Sequence, residues 1–200
     1  MSIILLGLNY KSAPVEIREK VSISKTNIQK SAAELRQLQG VNGIAILSTC
    51  NRTEYYVDAG HNQDAVEALL AFIGAYSGCS TALLQEHLYQ MRGREAVDHL
   101  FTVAAGLDSM ILGESQIQGQ VQDAYNYALE YNLSNNVINT LLMSALTLGK
   151  RVRTETYIDR QAVSISSAAV ELAKQELGTL EGKTVLIVGA GDTSELAARH

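Results

Sequence analysis

The sequence predicts an α/β protein in which an α+β N-terminal domain is followed by long linking helices and a truncated β-α unit. Short apolar runs typical of strands occupy the first 60 residues, and helical periodicity then dominates to about residue 177. Residues 184–188 form a continuous apolar run that leads into glycines, as strands of covered parallel sheets do. We expect residues 1–155 to form the N-terminal domain, and residues 156–200 to hold a linking helix and the start of a second domain.

The individual elements follow from local signals. Residues 2–8 indicate a buried strand, and Pro14 closes the next turn. Ser24 is placed to cap a helix that ends at Gly40, and residues 44–47 and 53–57 are β-prone, so the chain begins β-α-β-β. A turn-rich stretch lies between Gly106 and Gly113. Helical spacing predicts further helices at residues 64–73, 80–89, 95–105, 116–131, 135–154 and 162–177.

Composition indicates a globular protein of a reducing compartment. Hydrophobic residues make up 46% and charged residues 18% of the chain. No apolar run approaches the roughly 18–20 residues that cross a bilayer, so no membrane association is expected. The two cysteines do not form a paired motif, which favours free thiols in the cytoplasm. A net charge of -5 does not favour nucleic-acid binding, although a local basic patch remains compatible with it. The histidines lack metal-ligand spacing, and we predict no metal.

Cys50 is the strongest candidate nucleophile. It follows an apolar strand and begins a polar turn, a position from which side chains enter crevices. Arg52 is near enough to favour a thiolate, and backbone N–H groups of the turn are candidates to face an oxyanion. The alternative is a buried structural cysteine, which is what most lone cysteines are. Cys79 is interpreted in that way, and His99, among apolar helix residues, resembles a core or boundary histidine.

A glycine motif follows the last predicted strand. Gly189, Gly191 and Ser194 have the spacing of a dinucleotide-binding turn between a strand and a helix, with Ser194 in place of the third glycine. The glycines allow a tight turn and a close approach to a pyrophosphate, and the helix N-terminus supplies N–H donors. This predicts the start of a Rossmann-type domain. The acidic residue that separates NAD from NADP would fall beyond His200.

Two polar sets keep alternative interpretations. Lys150, Arg151 and Arg153 form the densest basic cluster, either a solvated helix face or, less commonly, a contact to nucleic-acid phosphates. The second set is either exposed or lines a pocket for a group with an amine and a carboxylate. It surrounds the glycine-bracketed turn and comprises Ser109, Glu114, Gln116 and Gln120.

Long stretches of the chain resemble the glutamyl-tRNA reductase family. The resemblance is carried by residues 7–15 (GLNYKSAPV), 47–54 (LSTCNRTE), 99–101 (HLF), 105–114 (AGLDSMILGE), 116–121 (QIQGQV) and 150–156 (KRVRTET). It covers nearly the whole chain. The departures are Tyr10, where relatives often have His, Ser115, where many have Pro, and Ser194, and none of them affects Cys50.

The resemblance implies an activity and roles for individual residues. The family reduces glutamyl-tRNA with NADPH to glutamate-1-semialdehyde through a cysteine thioester, the entry step of tetrapyrrole synthesis from five carbons. By match, Cys50 would be the nucleophile and His99 a nearby residue important for activity. The glutamyl group would be held by Thr49, Asn51, Arg52, Ser109, Glu114, Ser115, Gln116 and Gln120. NADPH would be held by Gly189, Ala190, Gly191, Asp192, Thr193 and Ser194.

The resemblance also implies partners. Family members are V-shaped homodimers joined by a C-terminal helical domain, which these 200 residues do not contain. Glutamate-1-semialdehyde aminomutase is a candidate partner. With only the start of a nucleotide domain, we expect the 200 residues alone to lack full reductase activity.

The residues are compatible with this chemistry. An aminoacyl ester is already activated, so a modestly lowered thiol pKa suffices for attack without a strong partner base. Arg52 is suited to a bidentate pair with the substrate's carboxylate, and Glu114 to its ammonium. Two other interpretations compete: a non-catalytic module in which Cys50 is structural, and a Rossmann dehydrogenase acting on a free metabolite without a covalent step. The last leaves the surroundings of Cys50 unexplained.

Overall fold

The fold is built around a four-stranded antiparallel sheet in the order β2-β3-β1-β4. A computed structural model describes residues 3–60, 64–158, 165–189 and 192–199. The strands are β1 (Ile3–Asn9), β2 (Gly43–Ser48), β3 (Arg52–Asp58) and β4 (Tyr89–Arg92). Because β1 pairs with both β3 and β4, it is central and buried along its length, as its apolar sequence predicts. This architecture confirms the predicted α+β class of the N-terminal part.

Helices surround the sheet. They are α1 (Val15–Val21), α2 (Lys25–Leu35), α3 (Ala65–Ser77), α4 (Thr81–His87), α5 (Arg94–Ala104), α6 (Gln116–Glu130), α7 (Asn136–Thr156), α8 (Ile165–Leu177) and α9 (Asp192–Arg199). The side chains of Ser24, Ser80 and Asn135 cap α2, α4 and α7 by accepting N–H hydrogen bonds from the first helical turn. The helices α5, α6 and α7 pack on one another and against the strands, while α1 contacts β3 and α3.

One face of β3 carries polar side chains although the whole strand is buried. Strand alternation places four residues on this face: Arg52, Glu54, Tyr56 and Asp58. Each has a polar partner, which a buried polar group requires. Asn135 at the start of α7 donates to Asp58 Oδ2 at 2.8 Å, and His99 of α5 reaches Glu54. The polar face of β3 is therefore the surface on which a site is assembled.

Two glycines allow close approaches that fix this geometry. A Cβ on Gly7 of β1 would lie 2.8 Å from Glu54 Cγ, so the glycine leaves room for the Glu54 side chain to cross β1. A Cβ on Gly149 of α7 would lie 2.6 Å from the carbonyl oxygen of Ala104 at the end of α5. The crossing of α5 and α7 therefore depends on the absence of a side chain at Gly149.

Two elements escaped the sequence-based prediction. Helix α1 follows Pro14, where only a turn was expected, and residues 80–89, predicted as one helix, divide into α4 and β4. Strand β4 pairs with β1 over Ile4 to Gly7. A strand of four residues has a weak local signal, and β4 exists because β1 offers it an edge.

The predicted strand at residues 184–188 is not a strand in the structure. Residues 183–189 have no regular secondary structure, and Val185, Leu186, Ile187 and Val188 are 41% to 89% exposed. A parallel strand requires a hydrogen-bonded neighbour, and the described residues supply none for this segment. The helices on either side were predicted correctly. Helix α9 begins at Asp192. Of the helix predicted at residues 162–177, residues 162–164 lie outside the described residues, and α8 covers the rest.

Candidate active site

Cys50 lies at the tip of the hairpin turn that joins β2 to β3. The Thr49 N–H donates to the carbonyl of Arg52 at 2.8 Å. The Thr49 hydroxyl oxygen accepts from the N–H groups of Asn51 and Arg52, both at 3.1 Å. This pattern closes the turn on itself and leaves the Cys50 side chain exposed. The predicted position at a strand end is thus confirmed, whereas a buried Cys50 is excluded.

Contacts from the segment after β1 hold the turn from outside. The Tyr10 N–H donates to the carbonyl of Asn51 at 2.9 Å. Arg18 of α1 donates through Nη1 to the carbonyl of Cys50 at 2.8 Å and to Asn51 Oδ1 at 3.5 Å. Among the described residues, the Cys50 N–H has no hydrogen-bond partner. It is therefore the N–H group of the turn that remains available to an oxyanion, since those of Thr49 and Asn51 are engaged.

Cys79 differs from Cys50 in its burial. It is buried after Gly78, at the end of α3, and its Sγ lies 4.0 Å from the carbonyl of Ser77. The thiol is not in a disulfide. Its interpretation as a structural cysteine agrees with this position, because buried thiols are shielded from substrates and reagents.

A fully buried carboxylate, Glu54, organises the polar face of β3. Its Oε1 accepts from Arg52 Nη1 at 2.6 Å, from the Tyr89 hydroxyl at 2.6 Å and from His99 Nε2 at 2.8 Å. Its Oε2 accepts from the Tyr56 hydroxyl at 2.6 Å. The Tyr89 ring also lies beside the His99 ring, with centroids 5.6 Å apart. We call these five residues the Glu54 cluster.

The cluster keeps Glu54 ionised. Burial alone would raise the pKa of Glu54, but the hydrogen bond from His99 and the charge of Arg52 outweigh burial and lower this pKa to about 2. Burial and the Glu54 charge raise the pKa of Tyr56 and of Tyr89, so both hydroxyls remain donors. Because an ionised carboxylate only accepts, His99 carries a proton on Nε2. Its Nδ1 has no partner among the described residues.

The structure revises the role expected of Arg52. Its side chain is 2% exposed and its Nη2 donates to the carbonyl of Asp108 at 2.5 Å and to Asp108 Oδ2 at 3.0 Å. Burial would lower the pKa of Arg52, but the charge of Glu54 and the hydrogen bonds to Asp108 and Glu54 together contribute to raising this pKa above its ordinary value. The guanidinium is therefore charged and neutralised by two carboxylates. Arg52 is therefore not a free bidentate donor, and a substrate carboxylate would have to displace Asp108 to pair with it.

The loop after α5 is tied to the same cluster. Gly106 and Gly113 have φ values of 77° and 80°, and the Gly113 N–H donates to the Gly106 carbonyl at 2.9 Å, which closes the base of the loop. Asp108 docks the loop to Arg52 and also accepts from Lys11 Nζ at 2.5 Å. Next to it, the buried hydroxyl of Ser109 has no partner within the described residues. An unpaired buried hydroxyl suits a group that completes its hydrogen bonds with a ligand.

The other predicted substrate residues lie at the start of α6. Glu114 is half-buried, Ser115 and Gln116 are exposed, and Gln120 follows one turn later. Gln120 lines a cavity of about 170 Å³ together with Ser48, Lys25 and Tyr127. Among the described residues, no hydrogen bond joins the side chains of Glu114, Ser115, Gln116 or Gln120 to the Cys50 turn. The structure thus unites Thr49, Cys50, Asn51 and Arg52, links His99 and Ser109 to them through Glu54 and Asp108, and leaves the α6 residues outside that network.

The basic cluster on α7 has two different parts. Lys150 and Arg151 are exposed, which agrees with a solvated helix face, and Arg151 pairs with Glu155 at 3.1 Å. Arg153 is buried, so the solvated-face interpretation is wrong for it. Its Nη1 donates to Gln118 Oε1 and to the Gly149 carbonyl, and its Nη2 donates to the carbonyls of Ala104 and Glu114. Arg153 therefore joins α7 to the end of α5 and the loop before α6.

The predicted cofactor residues are only partly described. Gly189 has a φ of 120°, a conformation that favours glycine, and α9 begins at Asp192. Ser194 lies on that helix, and a Cβ on Gly189 would be 3.4 Å from its hydroxyl oxygen. Thr193 also falls in α9, whereas Ala190 and Gly191 lie outside the described residues. The conformation of Gly189 and the helix that begins at Asp192 are compatible with a pyrophosphate site, and they are the described part of the expected NADPH site.

Four residues central to the site were not assigned roles from the sequence. Glu54, Tyr56 and Tyr89 complete the cluster, and Arg18 holds the turn. A signal for Glu54 and Tyr56 was present, because polar residues alternate along β3 between buried strands. Tyr89 and Arg18 lie on β4 and α1, the elements that the sequence did not predict.

Neither a metal site nor a membrane span is evident in the described part of the chain. No group of three or more His, Cys, Asp or Glu side chains there is arranged to hold a metal ion. None of the helices is individually long and apolar enough to cross a membrane; α3 and α4 together would reach the length only as a pair bent by 107°.

The fold and the site define an α+β domain with an exposed cysteine on a hairpin turn, and the next strand carries a buried carboxylate that binds a histidine. A family model described as "Glutamyl-tRNAGlu reductase, N-terminal domain" matches residues 6–156, and the chain belongs to this family. It is 52% identical over 200 residues to a glutamyl-tRNA reductase of Pelotomaculum thermopropionicum, covering 100% of this chain and 45% of that protein. It is 47% identical over 197 residues to one of Desulfitobacterium hafniense, covering 98% of this chain and 44% of that protein.

A solved structure supports the same conclusion. The glutamyl-tRNA reductase from Methanopyrus kandleri superposes with a TM-score of 0.71 at 37% identity, covering 99% of this chain and 46% of that one. The resemblance seen in the sequence motifs is thereby confirmed. The chain spans about 45% of the length of the curated relatives named above.

Proposed function

We propose that this chain provides the substrate-binding and nucleophilic part of an NADPH-dependent glutamyl-tRNA reductase, which forms glutamate-1-semialdehyde at the start of tetrapyrrole synthesis. The observation that carries the proposal is the exposed Cys50 thiol on a closed hairpin turn whose own N–H is unengaged. Family membership supports the choice of substrate, since the matched relatives are named for glutamyl-tRNA.

The turn is suited to attack on an ester. The Cys50 sulfur adds to the carbonyl carbon of the glutamyl ester, and the C–S bond forms as the C–O bond to the tRNA ribose breaks. The Cys50 N–H is positioned at the nucleophile's own backbone, where it can donate to the oxygen that becomes negatively charged. The thiol proton leaves with the tRNA, directly or through water. A thioester is the product of this step.

His99 is the candidate for proton movement at the site. Its Nε2–H is held by Glu54 at 2.8 Å, which fixes the ring orientation and leaves Nδ1 as the nitrogen available to a reacting group. NADPH bound to the second domain would supply the hydride that converts the thioester to the aldehyde and releases the Cys50 thiolate. Among the residues predicted to hold the glutamyl group, Ser109 is favoured by its unpaired buried hydroxyl, whereas Arg52 is already engaged by Glu54 and Asp108.

Other expectations belong to the same proposal. We propose that the protein is cytoplasmic, acts as a homodimer joined by residues outside this chain, and delivers its product to glutamate-1-semialdehyde aminomutase. The 200 residues alone are expected to transfer the glutamyl group to Cys50 and to water without reducing it. NADPH-dependent semialdehyde formation by the 200-residue chain would refute that last expectation.

The test is acid-quench trapping with glutamyl-tRNA labelled in the glutamate. Label retained on the protein and released by hydroxylamine, but absent in Cys50→Ser, establishes the thioester. Cys79→Ala is the matched control and should retain the label. A wild-type protein that neither retains label nor deacylates the tRNA faster than Cys50→Ser would reject the covalent mechanism and leave the non-catalytic interpretation.

A further inference from the structure

We propose that Arg18 is a positioning residue for the nucleophile, acting through the backbone of the Cys50 turn. The proposal rests on the function proposed above, because it concerns the rate at which Cys50 is acylated. Arg18 lies on α1 and is separated from the turn by 32 residues in sequence, so the contact is made by the tertiary fold.

Hydrogen bonds hold the backbone of the turn and leave the Cys50 thiol exposed and, among the described residues, the Cys50 N–H unengaged. Arg18 fixes the carbonyl of Cys50, and the Tyr10 N–H fixes the carbonyl of Asn51. On the other side, the Thr49 N–H and hydroxyl bind across the turn. The peptide group that follows Cys50 is therefore held at both its ends, the Cys50 carbonyl by Arg18 and the Asn51 N–H by the Thr49 hydroxyl oxygen, which restricts the direction of the Cys50 Cα–Cβ bond. Arg18 is the side chain from outside the turn that makes this possible.

Arg18 also differs electrostatically from Arg52. Arg52 is buried between Glu54 and Asp108, so its charge is neutralised. Arg18 forms no ion pair among the described residues, and it is the described cation that touches the backbone of Cys50. Its charge is thus placed where a thiolate and an oxyanion develop.

The cost of this arrangement is visible in the structure. The Arg18 Nε is buried and has no hydrogen-bond partner within the described part of the chain. An unpaired buried N–H opposes folding. The Arg18 Nε–H stays unpaired because Nη1 is held at the Cys50 carbonyl. That geometry prevents the rest of the guanidinium from turning toward another acceptor.

The experiment compares Arg18→Gln and Arg18→Lys with wild type in the full-length protein. Arg36→Gln is the matched control, because Arg36 also donates through Nη1 to a backbone carbonyl, that of Tyr131 at 3.0 Å, away from Cys50. Two rates are measured: thioester formation from glutamyl-tRNA, and alkylation of Cys50 by iodoacetate and by iodoacetamide. The ratio of the two alkylation rates reports positive charge at the thiol independently of the substrate.

We expect Arg18→Gln to slow thioester formation by about tenfold to a hundredfold, the loss of one charge-assisted hydrogen bond. The preference for iodoacetate should fall with it, whereas Arg18→Lys should retain the preference and recover only part of the rate. Arg36→Gln should match wild type in both rates. A merely structural role would lower the melting temperature without changing the alkylation ratio of the folded protein.

Wild-type rates and ratio in a folded Arg18→Gln protein would overturn the proposal. If that variant does not fold, Arg18→Lys decides: a slowed thioester step in folded protein supports the role, and a wild-type rate rejects it. Failure of the proposed function is recognised separately, because wild type would then form no thioester. The alkylation ratio still tests Arg18 in that case, and an unchanged ratio rejects it.

Discussion

Replacing Glu54 by Gln tests whether the buried cluster is an electrostatic unit. The substitution preserves shape. Its amide oxygen can still accept from Arg52, Tyr89 and His99, while the amide NH₂ takes the place of Oε2 and the Tyr56 hydroxyl turns to accept from it. What is lost is the charge that compensates a guanidinium only 2% exposed.

Two arguments give the same magnitude. Removing one partner of a buried ion pair costs about 3–5 kcal/mol, because the other charge stays buried. A Glu54 pKa of about 2 in the fold, against 4.5 for an ordinary glutamate, corresponds to about 3 kcal/mol of stability at neutral pH. We therefore expect Glu54→Gln to lower the free energy of unfolding by about 3 kcal/mol, and the melting temperature by about 6–12 °C.

The pH dependence distinguishes lost charge from lost packing. The folded pKa of Glu54 lies below its unfolded value, so its stabilisation is present above about pH 4.5 and is lost as the pH falls toward 2. Glutamine does not titrate. The free energy of unfolding of wild type should exceed that of Glu54→Gln at pH 7, and this difference should be smaller at pH 3.5 by roughly 1 kcal/mol. Urea unfolding at both pH values measures it.

An exposed ion pair supplies the control. Asp98 accepts from Arg94 at 3.3 Å, and both side chains are largely exposed. Asp98→Asn should therefore cost less than about 1 kcal/mol. The reasoning is refuted if Glu54→Gln is no more destabilising than Asp98→Asn, or if its cost is the same at both pH values.

Three other predictions concern close approaches and the docked loop. Gly149→Ala should cost about 1–3 kcal/mol in urea unfolding, because its Cβ would lie 2.6 Å from a backbone oxygen of α5. Gly119→Ala, with open space around its Cβ on α6, should instead be neutral or stabilising, and equal effects would contradict the packing argument. Gly7→Ala should displace Glu54, whose Cγ would lie 2.8 Å from the new Cβ, and so lower the melting temperature. An unchanged melting temperature would show that this close contact does not destabilise the fold. Asp108→Asn should speed amide hydrogen exchange at residues 107–115 but not in β1, whereas wild-type exchange there would show that another contact docks the loop.

Local sequence signals predicted the elements whose periodicity extends over many residues. The stripe of Ile117, Val121, Ala124 and Ala128 identifies α6, and all four are buried. The predicted capping residue Ser24 marked the start of α2 correctly, and helical spacing placed the start of α4 at Ser80, which caps it. By contrast, β4 depends on an edge provided by β1 more than 80 residues earlier. The run at residues 184–188 shows the converse, since a strand-like sequence without a partner strand does not form one.

The site was predicted in its chemistry but not in its connections. Cys50, its turn neighbours and Ser109 were singled out as candidates from residue types, and the resemblance gave His99 a role near Cys50. That Glu54 binds His99 across β1 depends on Gly7, on strand register and on the position of α5, none of which is encoded locally. The charge on Arg52 was visible in the sequence, but its neutralisation by Asp108, 56 residues later, was not.

Arg52 and Arg18 have different roles near Cys50, whereas the sequence analysis considered Arg52 alone. Arg52 belongs to the interior, where two carboxylates hold it and it in turn holds the loop that carries Ser109. Moving it to meet a substrate would uncover Glu54, whose pKa is kept low partly by that charge. Arg18 can act at the nucleophile without disturbing the core, because its anchor is a carbonyl of the exposed turn itself. Under the proposed mechanism, the neutralised Glu54 cluster in the core and the unneutralised Arg18 at the Cys50 carbonyl would allow an anionic state to form at Cys50 without rearrangement of the fold.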